Sequence, residues 1–176
     1  MEAGELVFSS KKFAVRRRYV ELSPGCTHAY DIVSHPGAAI ALPLLPDGQV
    51  VLIRTYRLAV DQELLELPAG TVDPPESPIE CARRELAEET GYRAERLEPL
   101  VSFYSTPGIC SEHMHIFLAT GLHPGPMRLE PREQIRLAPL PLEEALRQIE
   151  RGRIVDGKTI VGLLYYRLYR QPESCE

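Results

Sequence analysis

The stretch "ELPAGTVDPPESPIECARRELAEETGY", Glu66 to Tyr92, sets Glu85, Glu88 and Glu89 within five residues of one another. Ser77-Pro78-Ile79-Glu80 has the form of a helix start, with Ser as N-cap, Pro at the first helical position and Glu closing a capping box. Gly91 supplies the stop, so a helix over roughly Ser77 to Thr90 is expected. At about 100° per residue Glu85 and Glu89 lie one turn apart with Glu88 beside them, while Ile79, Ala82 and Leu86 form the adjacent apolar stripe. Arg84 reaches Glu88 at i,i+4, as on many solvated helix faces, but that pair balances a single acid. Glu85 and Glu89 are like charges one turn apart, which costs a few tenths of a kcal/mol unless a cation lies between them. A hard divalent cation with oxygen ligands is the candidate.

Upstream of this helix the chain reads as strands. "KFAVRRRYVEL" and "HAYDIVSH" form an expected strand pair around Ser23-Pro24-Gly25, and "AAIALPLLPDGQVVLIRTYRL" reads as a hairpin turning at Pro46-Asp47-Gly48. "ELLELPAG" reads as a further strand ending at a turn. Downstream, "RLEPLVSFYSTPG", "HMHIFLATGL" and "IRLAPLP" are strand-like. "LEEALRQIERG", closed by Gly152, and "DGKTIVGLLYYRLYR", capped by Asp156, close the chain as helices. Strands dominate the first two thirds, which points to an α+β fold of α/β/α sandwich type with a mixed sheet.

With 176 residues, 44% hydrophobic and 26% charged, the chain has the composition of one soluble globular domain. No apolar run approaches a membrane span, and "MEAGELVFSS" lacks the regions of a signal peptide, so a cytoplasmic location is expected. Cys26, Cys81, Cys110 and Cys175 show neither zinc-finger spacing nor a disulfide framework. A net charge of −5 argues against general binding to nucleic acid or to an anionic membrane. The basic run Arg16 to Arg18 is a local exception, readable as an exposed strand segment or as a phosphate contact.

At fixed spacing, Gly70, five residues, Glu76, seven residues and then "RELAEETGY" from Arg84 to Tyr92 resembles the Nudix box over its full 23 residues, with Tyr92 in place of the usual aliphatic residue. The resemblance implies a loop-helix-loop, dependence on Mg²⁺ with Mn²⁺ as the alternative, and hydrolysis of a nucleoside diphosphate linked to another moiety. It implies the Ala69 carbonyl, Glu85 and Glu89 as metal ligands, Glu88 at a further metal or through water, and Arg84 with Glu76 as an orienting ion pair. Gly70 and Gly91 read as backbone permissions, for positive φ or close approach.

Beyond the box, "IRTYRLAVDQELLELPAG" resembles the run that leads into it in ADP-ribose pyrophosphatases, although Thr55 stands where Gln is common. Arg54 and Arg57 then become candidate substrate contacts. Pro107, 15 positions after Tyr92, and Glu112 match further substrate-side positions of that subfamily. As plain surface features, the two arginines are the solvent side of a strand and Pro107-Gly108 is a turn. The resemblance covers roughly residues 35 to 170. It implies residues 1–35 as a strand region for homodimerisation and 36–176 as the Nudix hydrolase domain.

The loop "RLEPREQIRL" resembles the acidic loop that closes over the metal site in relatives. Glu133 is the candidate mobile ligand or general base and Glu130 a weaker one, since Pro131 occupies the position where an activating carboxylate can occur. Glu85 or Glu88 is the fallback base. The expected reaction is Mg²⁺-dependent cleavage of ADP-ribose, or of a related nucleoside diphosphate sugar, to AMP and ribose 5-phosphate in the first case. NADH, FAD or a CDP-alcohol as substrate, and a nucleotide sensor without turnover, remain open alternatives.

Overall fold

The computed structural model describes residues 4–129, 131 and 133–171. In them an N-terminal sheet is formed by β1 (Glu5–Ser9), β2 (Ala14–Ser23) and β3 (Cys26–Ser34), all antiparallel. β2 and β3 match the expected strand pair, and β1 adds a third strand. Two further sheets follow. β4 (Ala38–Pro43), β7 (Ala69–Thr71), β8 (Arg93–Tyr104) and β9 (His113–His123) form a mixed sheet in the order β7-β4-β9-β8, with β4 and β9 parallel. β5 (Gln49–Arg57), β6 (Gln62–Glu66) and β10 (Ile135–Pro141) form an antiparallel sheet with β5 in the centre. The helices are α1 (Pro78–Thr90), α2 (Leu142–Glu150) and α3 (Gly157–Tyr169).

β4 holds the layers together because both of its faces are buried. Ala39 and Ala41 face Cys81, Ala82 and Leu86 of α1, where small side chains let the helix approach the sheet. Ile40 and Leu42 point the other way, into a core shared with Val50, Leu52, Leu65, Leu163 and Tyr166. The result is the expected α/β/α sandwich.

The hairpin expected at Pro46-Asp47-Gly48 does not form. The turn is present, with the Gly48 N–H donating to the Leu45 carbonyl at 3.0 Å, but backbone pairing between the two segments stops at the corner, with the Leu44–Val50 bridge and the Leu45 N–H to Gln49 carbonyl bond of 2.9 Å. β4 then pairs with β7 and β9, and β5 with β6 and β10. The corner carries the chain from one sheet to the other. Likewise "ELLELPAG" is two strands: β6 ends at Glu66, Leu67-Pro68 switches sheets, and β7 starts at Ala69.

α1 begins as its residues dictate. The Ser77 N–H donates to the Glu80 carboxylate at 2.7 Å, Pro78 occupies the first turn, and Gly91 closes the helix at φ 74° while donating to the Ala87 carbonyl. A Cβ on Gly91 would lie 2.4 Å from the Gly125 carbonyl oxygen. The helix end is thus pressed against the loop that leads to β10, and the Arg128 N–H donates to the Glu88 carbonyl at 2.9 Å.

Candidate active site

α1 packs through Cys81, Ala82, Leu86, Glu89 and Thr90, so its inward face includes one of the three clustered acids. Glu89 is 5% exposed. Its carboxylate accepts the Ala69 N–H at 2.8 Å, which ties the C-terminal half of the helix to the first residue of β7. Glu85 lies one turn earlier against the next peptide. A Cβ on Gly70 would sit 1.8 Å from Glu85 Oε1 and 2.1 Å from its Cδ, so only glycine lets this carboxylate lie on the backbone. Gly70 is required for close approach, whereas Gly91 is required for its positive φ as well.

Arg84 is the hub of the exposed side. It donates to Glu76 at 2.7 and 3.1 Å, to Glu85 at 2.6 Å and to Glu88 at 3.1 Å. The Arg84–Glu76 pair holds the Glu76 carboxyl down at about 2. Glu88 turns outward to Arg84 and is the most exposed of the three acids.

A cavity of about 400 Å³ opens where these elements meet. Glu85, Glu89 and Glu133 line it together with Ala69 and Gly70, and Arg57, Arg84 and Glu112 border it. Arg54, Glu88 and Pro107 do not. Arg54 lies on the solvent side of β5 beside Glu63 at 3.6 Å, and Pro107 lies in the turn after β8. Glu112 approaches His35 Nδ1 at 3.6 Å, and the Ser111 hydroxyl accepts the His35 N–H at 3.0 Å, which fixes the end of β3 beside the cavity. Glu130 lies outside the described residues; Glu133 stands just before β10.

The cavity also contains groups that the sequence did not single out. Lys11 and Lys12, from the β1–β2 turn, line it, as does Lys158 in the first turn of α3. Lys158 pairs with Glu66 and, at 3.0 Å, with Asp156. Glu66 is 1% exposed and also holds Arg57 through bonds of 2.8 and 2.7 Å. The one available signal was a carboxylate inside the apolar run "LLELP"; nothing local connects it to Lys158, 92 residues away.

Electrostatically the cavity floor is strained toward neutrality. Burial pushes the Glu89 carboxyl up to about 8, the Ala69 N–H opposes this, and the charges of Glu85 and Glu133 reinforce it. Burial also raises Glu85, against the pull of Arg84. Among the described residues no three acidic, His or Cys side chains already enclose one point as a chelate. The donors nevertheless suit a hard divalent cation: carboxylate oxygens that repel one another, set beside a backbone held bare by Gly70. Glu85, Glu89, Glu133 and the Ala69 carbonyl are the groups that could hold it.

Residues 34–161 match the NUDIX domain. An ADP-ribose pyrophosphatase of Bacillus subtilis (strain 168) is 34% identical over 168 residues, 94% of this chain and 91% of its own. A methanol dehydrogenase activator of Bacillus methanolicus is 36% identical over 166 residues, 93% of this chain and 90% of its own. A GDP-mannose pyrophosphatase of Yersinia enterocolitica is 38% identical over 143 residues, 76% of this chain and 74% of its own. A solved structure described as an ADP compounds hydrolase superposes with a TM-score of 0.80 at 27% identity, over 93% of this chain and 89% of that one. With the motif on α1 and a family match extending well beyond it, this chain belongs to the NUDIX family.

Proposed function

We propose that this protein is a divalent-metal-dependent pyrophosphatase of nucleoside diphosphate sugars, with ADP-ribose as the preferred substrate. The observation that carries the reading is the meeting of Glu85, Glu89 and Glu133 with the bare Ala69–Gly70 backbone in one cavity bordered by arginine and lysine. The sugar-nucleotide class is favoured by relatives described as ADP-ribose and GDP-mannose pyrophosphatases.

In this reading the Ala69 carbonyl, Glu85, Glu89 and Glu133 would hold Mg²⁺, with Mn²⁺ able to replace it, and Glu88 would contribute through a further ion or water. A bound ion would neutralise the acids and stabilise the charge that builds on the pyrophosphate oxygens. Arg84, anchored by Glu76, orients Glu85. Glu133 takes the proton of the attacking water; the new P–O bond forms as the bridging P–O bond breaks, leaving AMP and ribose 5-phosphate. Arg57 offers positive charge to the substrate's phosphates, and Glu112 borders its sugar side. Arg54 and Pro107, outside the cavity, contribute only if substrate extends past the rim.

The same reading makes the protein a cytoplasmic homodimer built on residues 1–35. Leu6, Phe8, Tyr19 and Leu22 are each more than half exposed on the N-terminal sheet, an apolar surface that a second copy would cover. No helix among the described residues is long and apolar enough to cross a membrane.

A panel of ADP-ribose, GDP-mannose, NADH, FAD and a CDP-alcohol, with product identification, tests the assignment. ADP-ribose should give the highest kcat/KM and yield AMP with ribose 5-phosphate. A better rate on another member would move the substrate assignment and leave the reaction class. The activator description of the Bacillus methanolicus relative supports a second reading, a nucleotide-binding regulator. Binding of these compounds without turnover in Mg²⁺ would favour it.

A further inference from the structure

Glu66 ends β6 as a fully buried carboxylate, and its burial alone would raise its pKa; Arg57 and Lys158 overcome that and hold it ionised. Buried ion pairs of this kind are often no more stabilising than well-packed apolar side chains of the same volume, so their retention invites a question about task. Its surroundings are stiff on one side only. Lys158 is 10% exposed and also bonded to Asp156. Asp156 caps α3 by accepting the Thr159 N–H at 3.1 Å and the Thr159 hydroxyl at 2.6 Å, and that hydroxyl accepts the Leu67 N–H at 2.8 Å. Glu66 and Leu67 are therefore pinned to the first turn of α3. Arg57, a long side chain from the end of β5, is the movable partner.

Arg57 lines the same cavity as Glu85 and Glu89, and its charge acts on Glu89. Besides Glu66, the carboxylates whose charge acts on Arg57 are Glu89 and Asp156. Asp156 is already taken by Lys158 and Thr159. A released guanidinium is left with Glu89, and with Glu85 on the same cavity wall, and its planar fork suits a bidentate pair with a carboxylate. We propose that Glu66 is a positioning residue that holds the Arg57 guanidinium off Glu89 and Glu85, keeping those carboxylates available to a divalent cation. Lys158 and the α3 cap are the brace behind it. Glu76 does the parallel service for Arg84, which it anchors by two bonds. The proposal rests on the reading of Glu85 and Glu89 as metal ligands.

The test is Mn²⁺ binding to the purified full-length protein, followed by EPR of free Mn²⁺, with thermal melts alongside. Glu66→Gln should weaken Mn²⁺ by about ten- to a hundredfold, in the range found for outer partners of metal ligands. Arg57→Met alone should bind Mn²⁺ as tightly as wild type or more tightly, since the competing cation is gone. The double variant Glu66→Gln with Arg57→Met should recover affinity toward the wild-type value. A structural role alone would make the double variant as weak as Glu66→Gln or weaker, and that result overturns the proposal, as does unchanged affinity in Glu66→Gln. Should Glu66→Gln fail to fold, Arg57→Met still decides, because weaker Mn²⁺ binding in that variant contradicts the idea. A wild-type protein that binds no Mn²⁺ removes the metal reading and this proposal with it.

Discussion

The NUDIX motif and the N-terminal sheet are opposites. α1 and β7 bury charge: Glu89 is nearly inaccessible and Glu85 lies on bare backbone at Gly70. The sheet of β1 to β3 exposes apolar side chains, with Leu6, Phe8, Tyr19 and Leu22 turned to solvent. Each reverses the usual sorting of polar and apolar groups. Neither reversal is explained by the stability of the isolated chain, because buried carboxylates repel and exposed aromatics gain nothing from folding. In the proposed reading each region serves something bound, an ion in one and a second copy of the chain in the other.

The largest effect expected on the charged side is that of Glu133→Gln. Loss of a general base typically slows a reaction by about 10²- to 10⁴-fold. The variant should lose kcat far more than KM and change the acidic limb of the pH–rate profile, which steady-state kinetics across pH would read. Near-native kcat with an unchanged profile would move water activation to the α1 acids.

Gly70→Ala probes the same site through the backbone. The added methyl cannot coexist with the Glu85 carboxyl, whose oxygen lies 1.8 Å from that position. The carboxylate must move by an ångström or more, and displacement of that order costs about a hundredfold in rate. Circular dichroism should show the fold retained while turnover falls. An unaffected rate would mean that Glu85 does not work from this position.

On the apolar side, replacing Tyr19 and Leu22 together by Asp should turn a dimer into a monomer by light scattering. Its effect on rate should be smaller than those above, because Glu85, Glu89 and Glu133 belong to one chain. A wild-type monomer at micromolar concentration would leave the exposed apolar face without this explanation.

The smallest effect concerns Glu76. Its carboxyl is held at about 2, against an ordinary 4.5, by the Arg84 hydrogen bonds. A depressed carboxylate stabilises the fold above its unfolded pKa and loses that contribution as pH falls through the folded value. The stability gap between wild type and Glu76→Gln should therefore be constant above about pH 5, at roughly 1 kcal/mol for a partly exposed pair, and should shrink toward pH 2. Denaturant titrations at several pH values measure it. A gap that persists at low pH would assign the loss to packing.

What could be read in the sequence follows from how local its causes are. The start of α1 was legible because Ser77, Pro78 and Glu80 settle it among themselves, and its end because Gly91 takes φ 74°. The spacing from Gly70 to Glu89 carried the acidic half of the cavity for the same reason. The β4–β5 corner was misread as a hairpin because Pro46-Asp47-Gly48 specifies a turn and not a partner. β4 is buried on both faces, so no alternation of polar and apolar residues marked which strands it joins. Of the basic half only Arg57 was reached, and by resemblance; Lys11-Lys12 and Lys158 come from two distant segments that nothing local connects to the motif. Arg54 and Pro107 were placed near substrate by resemblance, and the fold sets both outside the cavity.

The most direct test of the central claim, that the α1 acids serve a catalytic divalent cation, is ADP-ribose turnover against Mg²⁺ concentration in wild type, Glu85→Gln and Glu89→Gln. Wild type should be inactive in EDTA and saturate with Mg²⁺, and both variants should retain the fold, need far more Mg²⁺ and lose most of their turnover. Wild-type turnover that is indifferent to EDTA, or variants with native Mg²⁺ dependence and rate, would contradict the account.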